Sequence, residues 1–192
     1  MKVKVEQKPV KQSFWYHKNT KSVTVWVVEI LLVLALAAGV SFAFGTSVTI
    51  QEGSMDPTLQ AGDSALINKI AYAFGGIGRG DLIAYKNPDQ TDASIHVKRV
   101  IGLPGESIQI KDGLILINGK TYIEDKELPG INNAGLAENG IKLGSNEYFV
   151  LGDNRNNSED SRFADVGNIS RVSIIGKVWF ITSPLSEFGF VN

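Results

Sequence analysis

One long apolar run, from Val23 to Ile50, stands out from the rest of the chain. Glu29 lies near its start, and no other charged residue occurs before Glu52. A helix needs about 20 predominantly apolar residues to cross the hydrocarbon core of a bilayer. The run therefore predicts one transmembrane anchor over residues 23–50.

Charged residues are distributed unequally on the two sides of this run. Residues 1–22 contain a single acid, Glu6, and six lysines: Lys2, Lys4, Lys8, Lys11, Lys18 and Lys21. Acidic residues follow the run at Glu52, Asp56 and Asp63. Because basic flanks stay in the cytoplasm, we expect residues 1–22 to form a cytoplasmic tail. The chain beyond the anchor is then expected on the extracytoplasmic face of the cell membrane.

A cleavable signal peptide is the alternative interpretation of the same run, because Ala43-Phe44-Gly45 resembles a small-x-small cleavage site. The run is longer than the apolar region of an ordinary signal peptide, and further apolar residues follow Gly45. These features favour a retained anchor. No second apolar run of this length follows, so we expect a single-pass protein.

The pattern beyond the anchor is one of short β-prone segments bounded by Gly, Pro or Asp, which is typical of strands. The predicted strands are Ser64–Asn68, Asp81–Tyr85, Ile95–Ile101, Ser107–Lys111, Leu114–Ile117, Thr121–Ile123, Glu147–Leu151 and Val172–Ile181. Asp112-Gly113 and Asn118-Gly119 lie between successive segments and predict tight hairpin turns. The expected fold class is therefore mainly β, with an antiparallel sheet.

Two segments interrupt this pattern. Residues 124–145 are polar and glycine-rich, with little periodicity, so we expect residues 111–145 to form a small inserted subdomain of a hairpin and a loop. The catalytic β domain is then expected to comprise residues 51–110 and 146–192. Residues 70–80 are apolar but contain four glycines, and they predict a short helix followed by a flexible loop.

Composition excludes several kinds of site. Among 192 residues there is no cysteine and there are only two histidines, His17 and His96. Disulfides and thiolate chemistry are excluded, and a metal site with several histidines is not expected. The formal net charge of −1 does not indicate a nucleic-acid-binding surface. We expect no cofactor, no metal and no nucleic-acid partner.

Ser54 is the candidate nucleophile, because it follows Gly53 and precedes a turn-forming proline a few residues beyond the anchor. A serine hydroxyl needs a neighbouring base to become a good nucleophile. Two residues of one predicted strand, His96 and Lys98, are candidates for that base. Side chains alternate along a strand, so residues 96, 98 and 100 are expected to share one face.

For Lys98 to act as a base, its amine must be neutral near the working pH. The pKa of a lysine is ordinarily about 10.4, and a general base needs a value of about 7–8. The apolar neighbours Ile95, Val97, Val100 and Ile101 can supply the burial that lowers a lysine pKa. A solvated Lys98-Arg99 pair, or a Ser–His hydrolase that uses His96, remains the alternative from these residues alone.

Four blocks in order identify a more specific resemblance. They are residues 54–59 (SMDPTL), 79–85 (RGDLIAY), 96–106 (HVKRVIGLPGE) and 152–162 (GDNRNNSEDSR). With these blocks and the preceding anchor, the chain resembles the bacterial type I signal peptidases, which are membrane-bound Ser–Lys proteases. The blocks span nearly all of the sequence beyond the anchor.

The resemblance implies a role for several residues. Ser54 would attack the scissile carbonyl and Lys98 would be the general base, while Ser158 would orient the lysine ammonium. Asp160 and Arg162 would form a structural ion pair, with Asp153 as a further structural acid. The candidate substrate pocket, by position, consists of Ile50, Met55, Leu59, His96 and Val97.

One position departs from part of the family. In some relatives a serine two positions before the nucleophile supplies a hydrogen bond to the oxyanion, and here that position is Glu52. An ionised carboxylate cannot donate. The backbone N–H of Ser54 is the expected first donor, and the second donor is left open.

The resemblance also implies the partners: preproteins that carry signal peptides, cleaved after a small-x-small segment, and membrane lipid. Two alternatives are retained. One is a Ser–Lys processing protease with a narrow range of substrates. The other is an anchored β domain that binds peptides without catalysis.

Overall fold

A long apolar helix is the first element of the computed structural model, which describes residues 14–73, 75–86 and 94–191. This helix, α1, extends over Phe14–Phe44. Its residues 22–44 are long and apolar enough to cross a membrane, judged by length and composition. Most of the predicted basic tail, residues 1–13, lies outside the described residues.

The helix ends before the apolar run does. The predicted anchor extends to Ile50, whereas α1 ends at Phe44 and a strand, β1, follows at Thr46–Thr49. Val48 of this strand is buried in the core of the β domain. Threonine and valine are β-branched and suit a pleated, half-buried surface. Because hydropathy alone does not separate a helix end from a buried strand, the helical part of the run is shorter than predicted.

The described residues form twelve strands, all paired antiparallel. They are β1 Thr46–Thr49, β2 Ser64–Asn68, β3 Leu82–Tyr85, β4 His96–Gly102, β5 Ser107–Lys111, β6 Leu114–Ile117, β7 Lys120–Thr121, β8 Ile141–Lys142, β9 Glu147–Leu151, β10 Ile169–Ser170, β11 Ile174–Ser183 and β12 Gly189–Phe190. Short 3₁₀ helices occupy Gly53–Met55, Gly135–Asn139, Arg171–Ser173 and Leu185–Glu187. The expected mainly β, antiparallel fold class is confirmed.

Two sheets contain these strands. The larger sheet has the order β1-β2-β11-β3-β4-β9-β10, with β12 paired to β11, and the smaller has the order β7-β6-β5-β8. Since β5 belongs to the smaller sheet, the segment that forms this sheet begins at Ser107 rather than at the expected boundary of residue 111. Both sheets belong to one compact unit that begins at Phe42.

The two hairpin turns of the smaller sheet form where the sequence predicts them. Asp112 and Gly113 have φ values of 52° and 77°, and Asn118 and Gly119 have values of 52° and 78°. A two-residue turn of this kind needs positive φ at both positions, which glycine, asparagine and aspartate tolerate best.

Residues 70–80 differ from the prediction. Their described part, which excludes residue 74, consists of turns and bends and contains no helix. Tyr72 and Ile77 are buried in the core beside the larger sheet, with Ile83 and Val100. The glycines of this segment favour turns over a helix, because glycine is among the poorest helix formers.

Strand β4 lies in the middle of the larger sheet, between β3 and β9. Its side chains alternate between two apolar clusters: Val97 packs with Met55, and Val100 packs with Ile83. Lys98 is therefore on the face of Val100, and its neighbour across the β3 pairing is Ile83. The alternation along this strand thus directs the Lys98 side chain into the protein, where it is 2% exposed.

Candidate active site

Ser54 lies in the short 3₁₀ turn Gly53–Met55, which joins β1 to β2. Met55 is anchored in the core, being 1% exposed, and it fixes the turn on the domain. Ser54 itself is 7% exposed. Met55 therefore holds Ser54 at the edge of the core, where its hydroxyl borders a cleft.

Lys98 reaches this serine from β4, three strands away from β2 in the larger sheet. Its Nζ atom lies 2.7 Å from Oγ of Ser54, and the residue is 2% exposed. Burial lowers the pKa of the Lys98 amine, although the negative charges of Glu52, Asp160 and Glu159 partly oppose this shift. A lowered pKa favours the neutral amine, which can accept a proton from the serine hydroxyl. No ion pair neutralises Lys98 among the residues that the structure describes.

The loop of residues 152–162 holds the turn of Ser54 from the other side. The backbone N–H of Asn154 donates to the carbonyl oxygen of Ser54 at 3.1 Å, and its side-chain amide donates to that of Gly53 at 3.0 Å. A Cβ atom on Gly152 would overlap both the carbonyl oxygen of Ser54 and Oγ of Ser158. The close approach of the loop to Ser54 therefore requires glycine at residue 152.

Ser158 lies beside Ser54 along a shared recess. Its Oγ atom is buried and has no hydrogen-bond partner in the described part of the chain. A buried hydroxyl without a partner is uncommon and costs stability. The structure thus places Ser158 near Ser54 but shows no hydrogen bond from it to Lys98.

Asp160 and Arg162 form a buried ion pair within the same loop. Nε and Nη2 of Arg162 donate to the carboxylate of Asp160 at 2.7 and 2.8 Å. Asp160 also accepts from the backbone N–H of Gly152 at 3.0 Å, and Arg162 donates to the carbonyl oxygen of Asn133 at 3.1 Å. This pair therefore folds the loop upon itself and joins it to the segment before β8.

Asp153 belongs to a second buried network. It accepts two hydrogen bonds from Arg99 of β4, at 2.8 and 2.7 Å, and one from the hydroxyl of Thr58. Arg99 in turn donates to the carbonyl oxygen of Gly80 at 2.9 Å. Thr58, Gly80 and Arg99 each belong to a different sequence block. The network therefore connects these three blocks with the fourth, the loop of residues 152–162 that holds Ser54.

The cleft beside Ser54 and Lys98 is bordered by most of the predicted pocket residues. Ile50, Met55, His96 and Val97 line it, together with Ile95. Leu59 is fully buried in the core cluster behind Met55 and is absent from the described cleft lining.

His96 contacts Ser94 and Tyr85 rather than Ser54. Its Nε2 atom lies 3.0 Å from Oγ of Ser94, and its ring packs against Tyr85. Within the described residues no hydrogen bond joins it to Ser54. Of the two candidate bases that share a face of β4, the structure brings Lys98 to the serine.

Thr58, Gly152 and Asn154 belong to the matched sequence blocks, but sequence reasoning assigned no role to them. It also did not predict the pairing of Arg99 with Asp153. No three His, Cys, Asp or Glu side chains are grouped to hold a metal ion in the part of the chain that the structure describes.

The model of the family described as signal peptidase, peptidase S26, matches residues 23–183. The chain belongs to this signal peptidase family. It is similar to signal peptidase IB of Staphylococcus aureus (strain COL), with 34% identity over 188 residues that cover 88% of this chain and 93% of that protein. Signal peptidase I T of Bacillus subtilis (strain 168) is 33% identical over 177 residues, which cover 88% of this chain and 90% of that protein.

Among solved structures, the chain is similar to a signal peptidase I from Enterococcus faecalis V583, with 30% identity and a TM-score of 0.44. That match covers 53% of this chain and 96% of the other. Membership of the signal peptidase family makes the chain a peptidase, as the four sequence blocks predicted.

Proposed function

We propose that this chain removes N-terminal signal peptides from preproteins and cleaves after a small-x-small segment, with Ser54 as the nucleophile and Lys98 as the general base. The observation that carries the proposal is the 2.7 Å distance between Nζ of Lys98 and Oγ of Ser54 in a buried pair. Membership of the signal peptidase family and the similarity to signal peptidase IB support the same activity.

The proposed reaction uses one amine twice. The neutral amine of Lys98 accepts the hydroxyl proton of Ser54 while Oγ attacks the carbonyl carbon of the scissile bond. The resulting ammonium donates this proton to the leaving nitrogen, which frees the mature protein and leaves the signal peptide esterified to Ser54. A water molecule deprotonated by the same amine then hydrolyses the ester, and the proton returns to Oγ.

Ser158 has a positioning role in this proposal. Its buried Oγ lies near the reacting serine and has no partner among the described residues, so it is available to hydrogen-bond the Lys98 ammonium when that charge forms. The Asp160–Arg162 pair and Asp153 support the loop that presents Ser158.

One edge of β4 and the residues that line the cleft support an extended substrate with small apolar side chains. Strand β9 pairs with β4 only from Arg99 onward, so His96–Lys98 have no strand partner on that side in the described part of the chain. An extended peptide can add to such an edge through its backbone. Ile50, Met55 and Val97 would then line the pockets for its small side chains.

The proposed location is the cell membrane, with the N-terminus in the cytoplasm and the β domain on the extracytoplasmic face. The lysines of residues 1–22 and the apolar span of residues 22–44 support this orientation. Ser54 follows the last residue of α1, Phe44, by only ten positions. The nucleophile is therefore tethered to the face of the membrane where a signal peptide ends.

The test is cleavage of a preprotein with an Ala-x-Ala site by the full-length chain in detergent. Wild type should release the mature protein, with its new amino terminus identified by mass spectrometry. Ser54→Ala and Lys98→Met should each lose at least about 10²–10⁴-fold in rate, the usual contribution of a positioned base. Lys177→Met, which removes a partly exposed lysine on β11, is the matched control and should stay active.

Near-normal turnover by Lys98→Met would remove the lysine from the mechanism, and cleavage by Ser54→Ala would remove the serine. His96→Ala addresses the Ser–His alternative, which predicts loss of activity in that variant. The proposal expects His96→Ala to retain the catalytic step.

A further inference from the structure

Ser54 lines two recesses of different chemistry. The first is the cleft that it shares with Lys98, which has apolar walls at Ile50, Met55, Ile95 and Val97 and is also bordered by Gln51, Glu52, Ser94 and His96. The second is polar and is lined by Asn156, Asn157, Ser158 and Glu159, together with Glu52, which borders both recesses. We call it the acidic recess. Ser54 and Glu52 are common to both. A peptide bound across Ser54 therefore has the apolar walls of the cleft on one side of the scissile bond and Glu159 on the other.

The two carboxylates of the acidic recess are available to a ligand. Glu52 and Glu159 are both exposed, and neither forms an ion pair among the residues that the structure describes. Oγ of Ser158, buried and without a hydrogen-bond partner there, borders the same recess. The recess therefore presents negative charge and unpaired polar groups next to the reacting atom.

Both carboxylates act electrostatically at the catalytic pair. Burial lowers the pKa of Lys98, and Glu52 and Glu159 are among the charges that oppose this effect. Their field therefore reaches the amine beside Ser54. It will also reach charged side chains of a substrate that passes the nucleophile.

The direction of the substrate follows from the chemistry of the two recesses. In the proposed function, the residues before the scissile bond are small and apolar, and they suit the cleft of Ile50, Met55 and Val97. The residues after the bond, which begin the mature protein, then extend over the acidic recess. Basic side chains at these positions are attracted by Glu52 and Glu159, and acidic side chains are repelled.

We propose that Glu52 and Glu159 make this chain selective for preproteins whose mature part begins with basic residues, and unfavourable to those whose mature part begins with acidic residues. This inference rests on the proposed function. It concerns only the first few residues after the cleavage site.

The expected selectivity is modest and depends on salt. Exposed charge pairs contribute little individually, so kcat/KM for lysine over glutamate should differ by about three- to tenfold. The Debye length falls from about 10 Å at 0.1 M salt to about 3 Å at 1 M. The preference should therefore decrease markedly at high salt.

The experiment uses the full-length chain in neutral detergent and three preproteins that differ only in residues 2 and 3 after the cleavage site, which are Lys-Lys, Gln-Gln or Glu-Glu. Pairs of substrates compete in one reaction, so that the product ratio gives the ratio of kcat/KM. The enzymes are wild type, Glu159→Gln, Glu52→Gln and, as a matched control, Glu138→Gln. Glu138 is exposed and lies in the 3₁₀ helix Gly135–Asn139, apart from both recess linings.

We expect wild type and Glu138→Gln to cleave the Lys-Lys preprotein best and the Glu-Glu preprotein worst. The preference should be smaller at 1 M salt, and smaller in Glu159→Gln and in Glu52→Gln than in wild type. Equal cleavage of the three preproteins by wild type would overturn the inference while leaving the proposed function intact. A preference that persists unchanged in both glutamate variants would also overturn it. If no preprotein is cleaved, the proposed function fails and this inference fails with it.

Discussion

Arg99 and Asp153 form a buried ion pair with two hydrogen bonds, from Nε to Oδ1 at 2.8 Å and from Nη2 to Oδ2 at 2.7 Å. Lys98, the residue before Arg99, has no carboxylate partner in the described part of the chain. Although burial alone would lower the pKa of Arg99, Asp153 raises it through hydrogen bonding and charge. One strand thus directs a paired, charged guanidinium to one face and a buried amine of lowered pKa to the other.

Loss of the carboxylate at residue 153 should be strongly destabilising. In Asp153→Asn the buried guanidinium of Arg99 loses its compensating charge, and removing one member of a buried pair typically costs about 3–5 kcal/mol. Denaturant unfolding followed by circular dichroism would measure the change in the free energy of unfolding. The control is Lys177→Met, because the Lys177–Asp81 pair is partly exposed and such pairs contribute about 0–1 kcal/mol. Similar losses in the two variants would contradict the buried pair as a principal support of the fold.

The pH dependence of cleavage should report the amine of Lys98. Burial lowers its pKa, and the amine is active as a base only when it is neutral. Activity should therefore rise with pH on the acid side, with a midpoint below the ordinary lysine value of about 10.4. The measurement is kcat/KM for one preprotein across the pH range in which the enzyme remains folded.

The same pH profile tests how a nearby negative charge affects the pKa of Lys98. Glu159 is among the groups that raise the pKa of Lys98, so Glu159→Gln should move the acid limb to lower pH. Glu138→Gln should leave it in place. An acid limb centred at or above the ordinary lysine pKa would show that the amine is not the titrating base.

The strands that support this site could be predicted because their patterns are local. Ser107–Lys111, Leu114–Ile117 and Glu147–Leu151 have the predicted bounds, since alternating apolar residues and two-residue turns are local features of the sequence. Strands β8, β10 and β12 could not be found, because two residues are too few to show a period. The end of α1 was misplaced because β1 carries no charge and so does not interrupt the uncharged run.

The site could be predicted only in part. His96 and Lys98 share a face of β4, so spacing alone did not choose between them. The choice came from a resemblance, and the geometry brings the lysine to Ser54 across a separation of 44 residues. The pairing of Arg99 with Asp153 spans 54 positions, and the loop that carries Asp153 has no periodic pattern. Such pairings depend on tertiary packing, which a local pattern does not contain.

Replacement of Ser158 by alanine should separate activity from stability. Its Oγ is buried without a hydrogen-bond partner among the described residues, so removing it should leave the free energy of unfolding unchanged or raise it slightly. If the hydroxyl binds the Lys98 ammonium during the reaction, kcat should fall by about 10- to 100-fold, the usual value of a hydrogen bond to a charged group. Single-turnover cleavage and thermal unfolding measure the two effects. Unchanged kcat in Ser158→Ala would exclude the positioning role. Ser158→Thr, which keeps a hydroxyl, should have a higher kcat than Ser158→Ala.

Gly152→Ala tests whether the loop of residues 152–162 positions the nucleophile or only stabilises the domain. The added methyl group would overlap the carbonyl oxygen of Ser54 and Oγ of Ser158, so the turn of Ser54 must shift. Gly176 of β11 is a matched control, because a Cβ there would overlap the carbonyl oxygen of Asn68, away from the catalytic pair. Both variants should lose stability, since overpacking typically costs about 1–3 kcal/mol.

Only Gly152→Ala should also lower the activity of the protein that remains folded, because displacement of a reacting group by about 1 Å can reduce the rate about 10²-fold. The folded fraction is measured by circular dichroism, and kcat is expressed per folded molecule at a temperature below both unfolding transitions. Equal kcat values in Gly152→Ala and Gly176→Ala would mean that the contact between Gly152 and Ser54 supports the fold alone. A loss confined to Gly152→Ala would show that the loop sets the position of the serine hydroxyl relative to the amine of Lys98.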